Sequence, residues 1–375
     1  MSTKCTDLPN PVCGNILTCF TSAAATYLAH HAIDYTFAFG LQLYIAIHIE
    51  EQDGLKGSFL YLHQPLTAPL LSCTLPLVHC WTEHPLEAQQ LLLEECMTRE
   101  QVIIVGDTYA LPWHINYGKV HAVHWFVVAA MDKQQGKIYI NDPFEFIDVH
   151  GTQAAYEGWL PLSQLAKMAK TDPTPSHSYR ARNQHGLGGT EPLPLEAYQG
   201  YQWLAAAEEV KQWPVTQENL QQALLQTYNA MSRGTQRPDL TRHQWIVGLE
   251  AVNALPGLFE TYLNTPDLYE MRDDFWGIAR HHQLFAHALR STAQVTGQSH
   301  LAELAAWCDD IVVPQWLAIP RLMLYNQTRL LHHQAPKEVL IQHAKEIYRT
   351  EQMLLEKLAE IVFSDWRSSS SDAAH

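Results

Sequence analysis

At 375 residues the chain is longer than one compact core usually supports, and length alone points to two domains. Hydrophobic residues make up 47% and charged residues 17%, a balance that argues against disorder outside the ends. Acidic residues number 39 against 24 Lys and Arg; a formal net charge of −15 argues against a nucleic-acid partner and against binding to anionic membranes.

No window of about 18 uninterrupted apolar residues occurs, so no membrane span is expected. The opening MSTKCTDLPNPVCGN lacks a charged leader followed by an apolar run, and cytoplasmic residence is the expectation. The cysteines at 5, 13, 19, 73, 80, 96 and 308 form an odd set without a CxxC pair, which argues against a disulfide framework. Most then serve as small buried hydrophobes, and one is a candidate nucleophile.

In chain order, the first 165 or so residues read as mixed α and β. The stretch 18–35 has small and apolar residues at helical spacing, starting after Thr18, a suitable N-cap. Strand-like runs follow at 39–49 and 57–63. An amphipathic helix is expected at 83–100, with Pro85 in its first turn, leading into a buried strand within 101–113. Residues 124–132 and 137–144 are β-rich runs joined by KQQG, a hairpin signature, and 158–169 reads as a helix. Residues 171–200 lose all periodicity and are rich in Pro, Gly and Ser, as in a linker or long loop. From there the pattern is helical: 201–212, 216–232, 241–263, 267–297, 299–333 and 336–364, with Pro256, Pro314 and Pro320 expected to kink or divide their helices. Neighbouring histidines such as His281 and His282 face different directions on a helix and read as solvated or capping residues. The organisation expected is a catalytic domain over 1–170, a linker or loop over 171–200, a helical domain over 201–366 and a disordered tail over 367–375.

The chemistry concentrates in the first part. A cysteine attacks as its thiolate, which a helix N-terminus and a neighbouring imidazole both favour. Cys19 stands at the expected helix start. His124 opens the first strand of the hairpin, and Asp142, followed by Pro143, closes the second. With the turn at 133–136, the antiparallel partner of His124 falls near 142–145, so imidazole and carboxylate come together by spacing alone. Cys13, six residues earlier and before Gly14, stays open as an alternative nucleophile. His114, His121 and His124 lack the acidic or cysteine partner of a helical zinc signature, and no metal or other cofactor is expected.

This order of a cysteine on a helix, a histidine on a strand and an Asp-Pro closing the next strand resembles the papain-like double-glycine cysteine peptidases. Residues 106–132 resemble more closely the N-terminal domain of the butirosin-biosynthesis protein H family, through Asp107, Tyr109, Leu111, Pro112, Tyr117, His121, His124 and Asp132. The resemblance runs over roughly 13–170. It implies an α+β chain with a papain-like cysteine-protease fold at the N-terminus followed by an all-α C-terminal domain. It also implies an acyltransferase that takes an acyl group from a carrier-protein thioester to an amine, in natural-product (antibiotic) biosynthesis; coenzyme A is the alternative donor.

On that reading Cys19, His124 and Asp142 are catalytic, and the Cys19 N–H, with Asn15 as second donor, forms the oxyanion hole. Asp107, Tyr109, Trp113, Tyr117, His121 and Trp125 line the substrate pocket. Lys167, Lys170, Arg180 and Arg182 gather near 171–200 and are candidates for docking an acidic carrier protein. Two other readings use the same residues: a hydrolase (thioesterase or peptidase) in which water replaces the amine, and a non-catalytic binding protein of papain-like fold.

Overall fold

The structure is a computed structural model that describes residues 12–43, 45–52, 55–61, 73–74, 77–82, 84–98, 101–148, 151–171, 200–206, 211–212, 214–233, 245–262, 272–330 and 337–364. The fold is mixed α+β. Helices are α1 (Cys19–His30), α2 (Pro85–Thr98), α3 (Leu165–Met168), α4 (Gln217–Arg233), α5 (Gly248–Tyr262), α6 (Arg272–Thr296), α7 (Ser299–Trp307), α8 (Val313–Leu330) and α9 (Lys337–Val362). The strands that matter below are β1 (Ala46–Gln52), β2 (Leu55–Tyr61), β3 (Cys73–Thr74), β4 (Leu77–Thr82), β5 (Val102–Asp107), β6 (Val123–Asp132) and β7 (Lys137–Asp142). They are followed by β8 (Phe146–Asp148), β9 (Gly151–Gln153), β10 (Tyr156–Pro161), β11 (Lys170–Thr171), β12 (Gly200–Ala206), β13 (Lys211–Gln212) and β14 (Trp245–Val247).

The chain divides into two compact units, Met1–Ala38 with Pro65–Pro214, and Phe39–Gln64 with Val215–His375. The first is built on a seven-stranded sheet of order β10-β7-β6-β5-β12-β11, with β4 also pairing β12. Its core is dictated by two periodicities. On α2, Ala88, Leu92 and Cys96 recur every four residues; on the strands, Val102, Ile104, Phe126, Val128, Ile138 and Ile140 recur every two. All are buried together, and each large aliphatic removed from water here stabilises by roughly 2 kcal/mol. Helix α1 is apolar or small on every side, buried from Phe20 to Ala29, and packs on β6, β5 and β7.

Several expectations need correction. Residues 201–212 are not helical: 200–206 form β12, paired with β5 on one side and β4 on the other, with Tyr201, Trp203 and Leu204 buried. Because β11 pairs with β12 (Lys170 opposite Tyr201, Thr171 opposite Gly200), the chain leaves and re-enters one sheet around 172–199. The first unit runs on to Pro214, so the boundary between units does not fall at 171–200. The range 158–169 begins as β10, which ends at Pro161, and becomes helical at Leu162, first as a 3-10 turn and from Leu165 as α3. The second unit is not all-α, since β1, β2 and β14 form a sheet of order β14-β1-β2, so residues 39–64 leave the first domain expected for them. His281 and His282 are buried, and His282 Nδ1 donates to the Ile278 carbonyl at 2.8 Å. The tail at 367–375 lies outside the described residues. Pro256 and Pro320 sit inside α5 and α8, and the range 299–333 is divided by a π turn at Cys308–Val312, two residues before Pro314.

Candidate active site

Cys19 occupies the first helical position of α1. Thr18, the N-cap, accepts from the Thr21 N–H at 3.2 Å, and Thr21 Oγ1 accepts from the Thr18 N–H at 2.9 Å. This reciprocal capping box fixes where the helix begins, and therefore where the half-buried sulfur stands. The N–H at that position has no intrahelical acceptor, and the positive end of the helix dipole favours a thiolate beside it.

His124 and Asp142 come from the β6–β7 hairpin. Next to the turn, Asp132, Met131 and Ala130 face Lys137, Ile138 and Tyr139; farther on, Val128 and Val127 face Ile140 and Asn141. The extra residue, Ala129, is a β-bulge. Extended past the bulge, the register sets His124 opposite Phe144, so Asp142 is its diagonal neighbour on the same face. Without the bulge, His124 would fall opposite Glu145, and Asp142 would point to the other face of the sheet.

The resulting contact is close and dry. His124 Nε2 lies 2.7 Å from Asp142 Oδ2, with the two side chains 2% and 1% exposed. The same Oδ2 accepts from Trp113 Nε1 at 2.7 Å, and Oδ1 accepts from the Phe144 N–H at 3.3 Å. The Cys19 side chain hydrogen-bonds to His124. Burial alone pulls this imidazole down; the charge and hydrogen bond of Asp142, then the hydrogen bond and charge of Cys19, outweigh it and raise His124 to about 10. Asp142 and Cys19 thus both favour the protonated form of this imidazole. Its contribution to stability is complete below 6.5 and is lost as pH rises through about 10.

A second tie aligns helix and hairpin. Gly14, in the turn Gly14–Ile16, lies so close to Pro143 that a Cβ there would stand 1.5 Å from its carbonyl oxygen, and the Glu145 N–H donates to the Gly14 carbonyl at 3.4 Å. The segment leading into Cys19 is therefore clamped to the segment leaving Asp142. Cys13 lies at the start of that turn with its N–H on the Tyr35 hydroxyl at 3.2 Å, and the groups acting on His124 include Cys19 and not Cys13.

The remaining expected residues sort differently. Trp125 is core: it is buried against Phe20, ring centroids 5.0 Å apart. Trp113 is no free wall either, being stacked on Tyr156 at 4.8 Å while its indole N–H holds Asp142. Asp107 pairs with His121, whose ring stacks on exposed Tyr109. Asn15 and Tyr117 are exposed, as are Lys167 and Lys170; Arg180 and Arg182 lie outside the described residues. Among the described residues no group of three or more His, Cys, Asp or Glu is placed to hold a metal ion. None of the described helices is long and apolar enough to cross a membrane.

His114 went unassigned in the sequence. It is buried, 4.8 Å from His124 between ring centroids, with Nδ1 accepting from the Asn116 N–H at 3.1 Å. Burial first, then the charge of His124, push it down to about 3, against an opposing pull from Asp142. Its folded value is depressed, so between pH 6.5 and 3 the unfolded chain takes up a proton that the folded chain refuses, and stability falls as pH falls. The full span is of order 3–5 kcal/mol. Urea unfolding at pH 7, 5 and 4 is expected to show this loss in the wild type and a markedly flatter dependence in His114→Gln; parallel losses in both proteins would refute it.

No protein-family model and no curated protein matches the chain.

Proposed function

We propose that the chain is a cysteine acyltransferase with a papain-like catalytic unit, in which Cys19 is the nucleophile, His124 the acid-base group and Asp142 its anchor. The observation that carries the reading is the unbroken line of contacts from a helix-start thiol through a buried imidazole to a buried carboxylate. Beside a thiol, a buried histidine raised by an acid favours the thiolate and stores the proton that a leaving thiol needs.

In the proposed cycle the Cys19 thiolate attacks a thioester carbonyl. The Cys19 N–H and Asn15 face the developing oxyanion, and His124 gives its proton to the departing thiol. An acyl-Cys19 and a neutral His124 result. An amine then attacks, His124 takes a proton from its nitrogen, and the amide leaves with the thiolate restored. The resemblance over 13–170 to the butirosin-biosynthesis protein H family supports an acyl carrier protein or coenzyme A as donor, a small amine as acceptor, and a place in natural-product biosynthesis. Exposed Lys167 and Lys170 suit an acidic carrier.

Mixing the protein with a short-chain acyl N-acetylcysteamine thioester is expected to add one acyl mass on Cys19, visible by intact mass and peptide mapping. Cys19→Ala is expected to take up none. An adduct on Cys13, or equal labelling of Cys19→Ala, contradicts the assignment. Turnover to free acid at a rate indifferent to added amine would make the protein a hydrolase instead.

A further inference from the structure

The loop between β5 and β6, residues 108–122, brings two side chains to the dyad. Trp113 donates its indole N–H to Asp142 Oδ2 at 2.7 Å, and the ring of His114 meets that of His124 at 62°, centroids 4.8 Å apart. Thr108 closes the base of the loop: its Oγ1 donates to the Val120 carbonyl at 2.7 Å and accepts from the Ala122 N–H at 3.1 Å. Farther along, the turn bonds mostly to itself. The His114 N–H goes to the Leu111 carbonyl, the Asn116 N–H to His114 Nδ1 and the Tyr117 N–H to the His114 carbonyl. The Ile115 N–H differs from these three. It leaves the loop and donates to Gln153 Oε1 at 2.8 Å.

Gln153 lies on β9, where it pairs with Phe146 of β8, and it is 1% exposed. A buried amide is costly unless both its ends are satisfied. Oε1 takes the Ile115 N–H, and Nε2 donates to the carbonyl of the next residue, Ala154, at 2.8 Å. The second bond is local, so the first is the one that joins separate segments. Ile115 also packs tightly on this hairpin: a Cβ on Gly151, whose φ is +127°, would stand 3.0 Å from Ile115 Cδ1. The hairpin reaches the dyad by another path too. Phe146 stacks on Phe144, centroids 5.8 Å apart and planes at 22°, and Phe144 packs on the His124 ring at 5.3 Å.

The N–H that Gln153 holds belongs to the peptide unit joining His114 to Ile115, and Trp113 is the residue before. We infer that Gln153 is a positioning residue for the dyad, which fixes this peptide unit and thereby keeps Trp113 on Asp142 and His114 against His124. The kinetic consequence rests on the acyl-Cys19 reading; the positioning itself does not. The titratable groups that face His124 are Asp142 from β7, Cys19 from α1 and His114 from the loop. Once the loop is released, the indole no longer caps Asp142 and water reaches the pair. Hydration relaxes both the burial of His124 and the pull of Asp142, so the imidazole moves from about 10 back toward 6.5.

The test compares the wild type with Gln153→Leu, which has no acceptor, and Gln153→Glu, which keeps an acceptor oxygen in the same place; Gln153→Ala replaces the leucine variant if that does not fold. Three quantities are read: hydrogen exchange of the Ile115 amide, the NMR titration of the His124 ring (assigned by its loss in His124→Gln), and acylation by the N-acetylcysteamine thioester from pH 5 to 10.5. In Gln153→Leu the Ile115 amide is expected to exchange at least about 10-fold faster. The His124 midpoint is expected to fall by about one pH unit. Acylation is expected to slow about 10- to 100-fold, its alkaline limb moving with the ring. Gln153→Glu is expected to stay near the wild type in all three. A faster Ile115 exchange with an unmoved His124 midpoint overturns the inference and leaves Gln153 a merely structural residue. So does an Ile115 amide equally protected in Gln153→Leu, or a Gln153→Glu variant as impaired as the leucine one. A wild type that takes up no acyl group, with the His124 midpoint still falling in Gln153→Leu, overturns the acyl-Cys19 reading and supports the positioning role.

Discussion

Asp142→Ala is expected to lower the rate of acyl-Cys19 formation by about 10²–10⁴ and to destabilise the first unit by about 3–5 kcal/mol. Oδ2 is the shared acceptor of His124 Nε2 and Trp113 Nε1, and Oδ1 takes the Phe144 N–H. Truncation strands an imidazolium and an indole N–H where water does not reach, and an unpaired buried charge is the costliest kind of loss. The imidazolium is then expected to shed its proton, because burial was pulling it down throughout. With that proton go both the thiolate and the acid for the leaving group.

Asp142→Asn separates the two contributions. Its carbonyl oxygen can still accept from both rings, so the imidazole stays aligned, but its NH₂ faces the Phe144 N–H, donor against donor. The charge that raises His124 is also gone. The expected result is a smaller loss of rate than in the alanine variant, with the alkaline limb of the pH–rate profile displaced from about 10 toward lower pH. Acylation rates from pH 5 to 10.5 and thermal melts on both variants check it. An alanine variant keeping more than about a tenth of the wild-type rate would show that Asp142 does not anchor the reacting imidazole.

Much of the site was legible because its determinants are local. A threonine before an apolar run marks where α1 starts, and a Gly-containing turn between two β-rich runs fixes the hairpin. The remainder depended on contacts between segments far apart in the chain. Trp113 and Trp125 flank the same histidines and look alike in sequence, yet one donates to Asp142 and the other packs on Phe20. A buried indole N–H needs an acceptor, and that need hinted at a partner for one of them without naming it. The run 200–206 reads as helix through its Leu and Ala residues; it is a strand because β4 and β5 offer edges on both sides, which no local pattern encodes. The strand-like runs at 39–49 and 57–63 overlap β1 and β2 only in part, Thr36–Gly40 being a π turn, and their place in the second unit was not readable, since β1 pairs with β14 about two hundred residues later. The spacing brought His124 near Asp142, but the bulge at Ala129 decides that they share a face, and an alanine between Val128 and Ala130 carries no signal for it.

Gly14 carries the other large effect. A Cβ at this position would lie 1.5 Å from the Pro143 oxygen, 2.5 Å from its carbon and 3.2 Å from the Phe144 nitrogen, all main-chain atoms that no rotamer change can move aside. Gly14→Ala must therefore push the turn Gly14–Ile16 away from the strand exit by an ångström or more, and it weakens the Glu145–Gly14 hydrogen bond as it does so. Cys19 follows that turn by three residues and Asp142 precedes Pro143 directly, so the displacement opens the gap between thiol and imidazole. Overpacking of this kind costs about 1–3 kcal/mol of stability. The kinetic loss is larger, because a misplacement of about 1 Å at reacting groups costs on the order of 100-fold. The expected outcome is a protein with a native circular-dichroism spectrum, a modestly lower melting temperature and acyl-Cys19 formation slowed about 100-fold. Gly257→Ala, in α5, is the control: a Cβ there meets nothing within 4 Å, and the variant is expected to acylate at the wild-type rate with unchanged or slightly higher stability. Acylation by Gly14→Ala as fast as by this control would mean that the contact between turn and strand does not set the position of the thiol.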